Sequence, residues 1–252
     1  MADRAQLDWP FFEAYHREVV GWARDWCSAN AVDSTGDLDE TCRNLVLSLG
    51  ASPLLRVVNP FNAIGYQVRS MALIREHLAY HSGLADFAFA MQGLGFGPIV
   101  EAGSAEQKGK WGPHVTAGTA IAAFALTEPE CGSDAANIAM TARREGDGWR
   151  LDGEKSYISN GTIADVLTVF ARTGEGAKGI SAFIVRGEDP GLTVAERIEV
   201  IAPHPLARLN FDGVRGELIG EPGTGLRIAL KTLNRFRVTV GAAALGLARR
   251  AL

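Results

Sequence analysis

The chain has 252 residues, 47% of them hydrophobic and 21% charged, with a formal net charge of −4. That length allows one large domain or two modest ones with a sizeable core, and the acidic balance gives no support for nucleic-acid binding, which normally shows a basic surplus. No apolar run is expected to reach the roughly 20 residues of a membrane helix, Met1-Ala2-Asp3-Arg4-Ala5-Gln6 lacks an apolar leader core, and three scattered cysteines, Cys27, Cys42 and Cys131, suit a reducing cytoplasm.

The first half reads as helices. Trp9 to Ala29 carries Trp9, Phe12, Val19, Val20, Ala23 and Trp26 at mixed helical spacings, the pattern of an amphipathic helix. Leu38, Leu45 and Leu49 continue the pattern behind Ser34-Thr35-Gly36-Asp37, a cluster suited to capping a helix start. Pro53 and Asn59-Pro60 mark a loop. A longer helix is expected from about Ile64 to Ser82, with Gly83 as its stop. His77 and His81 share one face of it, as zinc-binding pairs do, but Leu78 stands where the metalloprotease pattern needs Glu and no third ligand is near. No metal site is expected. Ala85 to Val100 is apolar. Within it, Gly93-Leu94-Gly95-Phe96-Gly97-Pro98 lacks the preceding strand and the spacing of a dinucleotide loop, and is read as a closely packed helix end. Ser104-Ala105-Glu106-Gln107 has the form of a capping box opening a short helix.

From Ile121 the period changes. Ile138 to Arg144, Trp149 to Leu151, Lys155 to Ile158, Val166 to Ala171, Ile180 to Val185, Leu192 to Val194 and Leu206 to Phe211 are strand-like and are separated by Gly, Asp and Pro turns. They predict a small antiparallel barrel or sandwich. Without strand–helix–strand alternation, a nicotinamide-binding domain is not expected. The end is helical again. Leu226, Leu230 and Leu233 form one stripe, Arg227, Lys231 and Arg235 another, and Gly241-Ala242-Ala243-Ala244 offers small residues for close packing. No Gly or Pro stop precedes Leu252. The expected class is α+β: a helical domain over 1–120, a β domain over 121–222, and the first helix of an incomplete helical domain over 223–252.

One stretch joins the two halves: Phe124-Ala125-Leu126-Thr127-Glu128-Pro129-Glu130-Cys131-Gly132-Ser133-Asp134. Thr127 and Ser133 offer hydroxyl donors, Pro129 stiffens the backbone, and Gly132 allows close approach of a ligand. The stretch resembles the Y/F-x-x-T-E-P-x-x-G-S-D signature of the acyl-CoA dehydrogenase family. Glu154-Lys155-Ser156-Tyr157-Ile158-Ser159-Asn160-Gly161 is similar to the family's G-x-K-x-W-I-T/S-N-G motif, and Phe236-Arg237 through Gly246 to Leu252 is similar to the opening helix of its last domain. The three segments fall in family order, and the likeness covers nearly the whole chain.

The resemblance implies a flavoprotein with bound FAD, acting by α,β-dehydrogenation of an acyl-CoA, with electron-transfer flavoprotein as electron acceptor. It implies homo-oligomers, or hetero-oligomers with a related subunit. It implies flavin contacts at Phe124, Leu126, Thr127, Ser133, Tyr157, Ile158 and Ser159, and substrate contacts at Ser133, Asn234 and Arg237. Met91 and Gln92 fall near the family's acyl cavity. Four departures stand out. Tyr157 replaces the motif's Trp, Asn234 replaces an acid, the stretch Asp212 to Glu217 resembles a shortened loop, and most of the final bundle, which carries the family's catalytic Glu, is missing from the likeness. Glu128 and Glu130 are not assigned as the base, so the catalytic residue is unknown. The alternative is a non-catalytic flavin- or acyl-CoA-binding subunit that pairs with a full-length paralogue. Leu226, Leu230, Leu233 and Leu245 are then expected to form an exposed apolar surface that favours association.

Overall fold

The computed structural model describes residues 5–32, 35–59 and 67–252. Helices α1 (Ala14–Ala29), α2 (Leu38–Ala51), α3 (Val68–His81), α4 (Gly83–Ala102) and α5 (Ala105–Thr116) come first. Strands β1 (Ala122–Ala125), β2 (Thr141–Glu145), β3 (Gly148–Ser159), β4 (Val166–Arg172), β5 (Ile180–Arg186), β6 (Leu192–Arg197) and β7 (Leu206–Ile219) follow, and α6 (Gly225–Ala251) is last. Ser34 of the capping cluster, Pro60 and Ile64 lie outside the described residues.

Local chemistry sets the helix starts. The Glu13 N–H donates to His16 Nδ1 at 3.0 Å, which places the start of α1 at Ala14 rather than near Trp9. Asp37 accepts from the Glu40 N–H at 2.8 Å and caps α2. At α5 the capping box forms in both directions: Gln107 N–H to Ser104 Oγ at 3.1 Å, and Ser104 N–H to Gln107 Oε1 at 2.9 Å. Between α3 and α4 the break is Ser82, in extended backbone, so Gly83 opens a helix instead of ending one.

Helix α4 is the axis of the helical layer. It has 20 residues and is apolar enough, by length and composition, to cross a bilayer, which corrects the expectation that no stretch reaches that length. Its surroundings account for the composition: most of it is buried, between α2, α3, α5 and α6 on one side and β1 and β4 on the other. The Gly93–Pro98 stretch lies inside this helix, not at its end. A Cβ on Gly95 would lie 2.6 Å from the Ala123 nitrogen, so only glycine lets the helix approach β1 this closely.

The strands pair in a ring. β4 pairs with β5, β5 with β7, β7 with β3 and β3 with β2, all antiparallel, and a parallel contact between Thr141 and Arg172 closes it. β6 pairs with β7 on the side. β1 runs parallel to β4, which departs from the all-antiparallel expectation. Leu151, Leu167, Val169, Phe183, Leu209 and Phe211 pack in one cluster. Phe170, Ala182 and Ile184 point the other way and pack with Phe96, Ile99 and Ile228 of the helices. Both faces of β4 and β5 are therefore buried, which is why they read as unbroken apolar runs. The stretch 212–217 is not a shortened loop. It continues β7, with Gly213 in the left-handed region at φ +61° and its N–H held by Asp152 Oδ1 at 2.8 Å.

Helix α6 lies on α3 and α4. Its buried stripe is Ile228, Ala229, Thr232, Phe236, Thr239, Ala243 and Gly246, while Leu230 and Leu245 are exposed and Leu226 and Leu233 half-buried. Small and hydroxyl residues win because the helices come close: a Cβ on Gly246 would lie 2.2 Å from the Glu76 carbonyl oxygen. A buried ion pair ties the same seam. Arg75 Nε and Nη2 each donate to Asp86 at 2.8 Å, and Nη1 donates to Thr239 Oγ1 at 3.0 Å.

Candidate functional site

Where α4, the end of β1, β3 and α6 meet, they line an open cavity of about 480 Å³. Phe124, Leu126 and Thr127 line it from β1 and the residues that follow. Gly132, Ser133 and Ala135 come from the next loop, and Tyr157 and Ser159 from β3. Met91 and Leu94 of α4 and Leu230, Leu233 and Arg237 of α6 complete the wall. The two motif segments, far apart in sequence, thus converge on one space. Of the α6 leucines that sequence placed on an uncovered face, Leu230 and Leu233 are part of this wall, and Leu226 and Leu245 are not.

Thr127 is held by its carbonyl, which accepts from the Ser156 N–H at 2.9 Å. Among the described residues, its own N–H and hydroxyl take no protein partner, and neither do the hydroxyls of Ser133, Tyr157 and Ser159. Unpaired donors beside an apolar cavity are groups a ligand can satisfy. The loop between Thr127 and Ser133 is a tight turn: Glu128 and Cys131 exchange backbone bonds at 2.9 and 3.1 Å, and Cys131 donates its thiol to the Asp134 carbonyl. Cys131 is therefore a small buried residue of the turn.

Tyr157 has φ +55°, a left-handed conformation that is rare for a bulky side chain. The cause is a bulge in the β3–β7 ladder between Lys155 and Ile158. The bulge breaks the in–out alternation of the strand. Lys155, Ser156 and Ile158 are buried, while Tyr157 is 62% exposed and turned into the cavity wall. Such strain persists only where the surroundings hold it, and it clusters at functional positions. Ile158 is displaced by the same bulge. It packs among Leu151, Leu209 and Phe211 and does not line the cavity.

Two other sequence expectations move. Gln92 does not reach the cavity. Its amide donates to the carbonyls of Val115 and Ala120 at 3.2 and 2.8 Å and accepts from the Ala122 N–H at 2.8 Å. Asn234 is also not in the wall. Its Oδ1 accepts from Arg237 Nη1 at 2.9 Å, so it orients the arginine that is. His77 and His81 each turn a ring nitrogen to a backbone carbonyl, of Leu73 and Asn30.

The sequence missed one group. Lys155 is fully buried, and its Nζ donates to Leu126 O at 3.0 Å and to Glu128 Oε1 at 2.8 Å. Glu128 also accepts from the N–H groups of Ala139 and Met140, at 2.6 and 3.0 Å. Burial pulls the Lys155 ammonium down to about 8, against the upward pull of Glu128. The signal was present as a lysine in an otherwise buried strand and a glutamate beside the threonine. Their contact depends on the bulge, which the sequence does not announce. With Glu128 engaged, no carboxylate among the described residues lines the cavity. A larger space of about 680 Å³ lies elsewhere, by Trp111 and Trp149, but basic and acidic side chains balance around it and none of the motif residues lines it.

Comparison with known proteins places the fold in a family. Residues 123–214 match the middle domain of acyl-CoA dehydrogenases. A probable acyl-CoA dehydrogenase of Mycobacterium leprae is 34% identical over 96% of this chain and 67% of its own length. The mouse mitochondrial short-chain specific acyl-CoA dehydrogenase is 39% identical over 70% of this chain and 47% of its own length. The crystal structure of a Bacillus anthracis acyl-CoA dehydrogenase complexed with FAD superimposes with a TM-score of 0.85 and 32% identity, covering 95% of this chain and 43% of that one. The chain spans between 40% and 67% of the length of such curated relatives.

Proposed function

Because the chain belongs to the acyl-CoA dehydrogenase family, we propose that it binds FAD in this cavity and serves the α,β-dehydrogenation of an acyl-CoA to the enoyl-CoA. The observation that carries the reading is the meeting of Thr127's unpartnered donors with the strained, exposed Tyr157 on one apolar cavity. A planar ring system with polar edges needs that combination of apolar faces and donors at one rim.

Bound there, FAD would supply a hydride acceptor, which no side chain offers. The chain's own residues do the rest. Thr127 donates its N–H and hydroxyl to acceptors on the ring edge. Tyr157 covers a ring face, with less area than Trp and an added hydroxyl. Phe124 and Leu126 supply apolar wall, and Ser159 a further hydroxyl. Ser133 and Arg237 donate to the anionic arm of the CoA, and Asn234 contributes by holding Arg237. The proton acceptor comes from residues other than those lining this cavity, since no carboxylate is among them. Electron-transfer flavoprotein is the proposed electron acceptor. The exposed Val238, Val240 and Leu247 on α6 support association with a second subunit, of this chain or a related one.

The test is a titration of the purified chain with FAD, followed by anaerobic addition of acyl-CoA. Binding should be weak enough to be lost on desalting. Thr127→Val should weaken it by about tenfold, the size of one good hydrogen bond. Binding indifferent to Thr127→Val and to Tyr157→Ala would overturn the site. Binding without bleaching of the flavin band by acyl-CoA would favour the non-catalytic subunit instead.

A further inference from the structure

We propose that the buried Lys155–Glu128 pair is a positioning device that sets the spacing between Thr127 and Tyr157 across the cavity. The inference rests on the flavin reading for its consequence, but its geometry stands alone. Lys155 and Ser156 are the two residues before Tyr157, and they make three bonds to the three residues centred on Thr127. Lys155 Nζ takes the carbonyl before Thr127 and the carboxylate after it, at 3.0 and 2.8 Å. The Ser156 N–H takes the carbonyl of Thr127 itself, at 2.9 Å. Glu128 then passes the constraint on to Ala139 and Met140, at the far end of the loop that carries Ser133. The ammonium therefore ties the start of the cavity loop to the strand that presents Tyr157, and Glu128 ties that start to the loop's far end.

A buried ion pair is weak evidence of stability, because desolvation offsets most of its attraction. What an apolar pair of equal volume could not reproduce is direction. A methionine at 155 would fill the space but would leave the Leu126 carbonyl without its donor and the Glu128 carboxylate without its counter-charge. Lys155 acts through Thr127 and Tyr157 and touches no reacting atom; it is a positioning residue.

The two roles separate in a pair of variants of the full chain. Lys155→Met leaves Glu128 charged and unpaired, and should lower both the melting temperature and FAD affinity. Lys155→Met with Glu128→Gln removes both charges but keeps an amide oxygen for Ala139 and Met140. Its melting temperature should recover toward the parent chain, while FAD affinity stays about tenfold down, the scale of one misplaced hydrogen bond, with an altered visible spectrum of bound flavin. Recovery of affinity and spectrum together with stability would overturn the proposal. Amide exchange gives the same answer without flavin: protection of the Ser156 N–H should fall in both variants, and unchanged protection overturns the proposal. Failure of the parent chain to bind FAD would count against the flavin reading alone.

Discussion

Arg75–Asp86 and Lys155–Glu128 are both buried ion pairs, one in the helical layer and one beside the cavity. The first is bidentate, and a third bond to Thr239 joins three helices. It lies on the seam where small residues let α3 and α6 touch, and it engages no residue that lines the cavity. The second is monodentate, is anchored mostly to backbone groups, and is placed around Thr127. Similar chemistry thus serves two ends. In the helices the pair satisfies charge where three elements must meet. Beside the cavity it ties the start of a loop, whose later part Arg172 holds through the Ala136 and Ile138 carbonyls, to the strand that presents Tyr157. The difference lies in what the partners touch, not in how deeply they are buried.

The largest effect should come from breaking the helical pair. Arg75→Met leaves Asp86 buried and unpaired, and should cost about 3–5 kcal/mol of unfolding free energy in denaturant titrations. FAD affinity of the folded fraction should not change. A parallel loss of affinity would erase the contrast between the two pairs.

A smaller effect, of distinct sign, should come from pH. The Lys155 ammonium titrates near 8 in the fold and at its ordinary 10.5 in the unfolded chain. Between those values the unfolded chain binds the extra proton, so this group's contribution to stability rises with pH across the window and is lost as pH falls through 8. The denaturation midpoint of the parent chain minus that of Lys155→Met should rise from pH 7.5 to 10.5, because the Cys27 and Cys42 thiols, pushed up by burial to about 11 and about 12, add an opposite slope that is common to both chains. Arg75 stays charged over this range, so Arg75→Met should keep the slope. If the two variants give equal slopes, the cavity pair does not titrate as described.

The smallest effect should come from Tyr157→Gly. It releases a left-handed side chain and should raise stability by up to about 1 kcal/mol, while weakening FAD binding through loss of a ring face. A destabilised Tyr157→Gly would mean that the ring packs into the fold rather than serving the cavity.

Much of this was legible in the sequence. The Ser104–Gln107 box, the apolar strands buried on both faces, and the convergence of Thr127, Ser133, Tyr157 and Ser159 all follow from local pattern or motif. What was not legible depended on contacts between distant segments. One bulge at Tyr157 sent Ile158 inward and brought Lys155 to Glu128. The buried face of α6 was not legible because threonine, alanine and glycine look polar or neutral, yet suit a close helix contact. Gln92 lies beside the cavity in sequence, but backbone groups on two other elements claim its amide.

That glutamine has a mechanical consequence. One side chain on α4 engages two carbonyls, in the last turn of α5 and just beyond it, and the first N–H of β1, so sliding the helices by one residue along the barrel would break three bonds at once. The joint resists shear while leaving bending free. Tightening around an occupant of the cavity should therefore proceed by tilting α4, not by translating it.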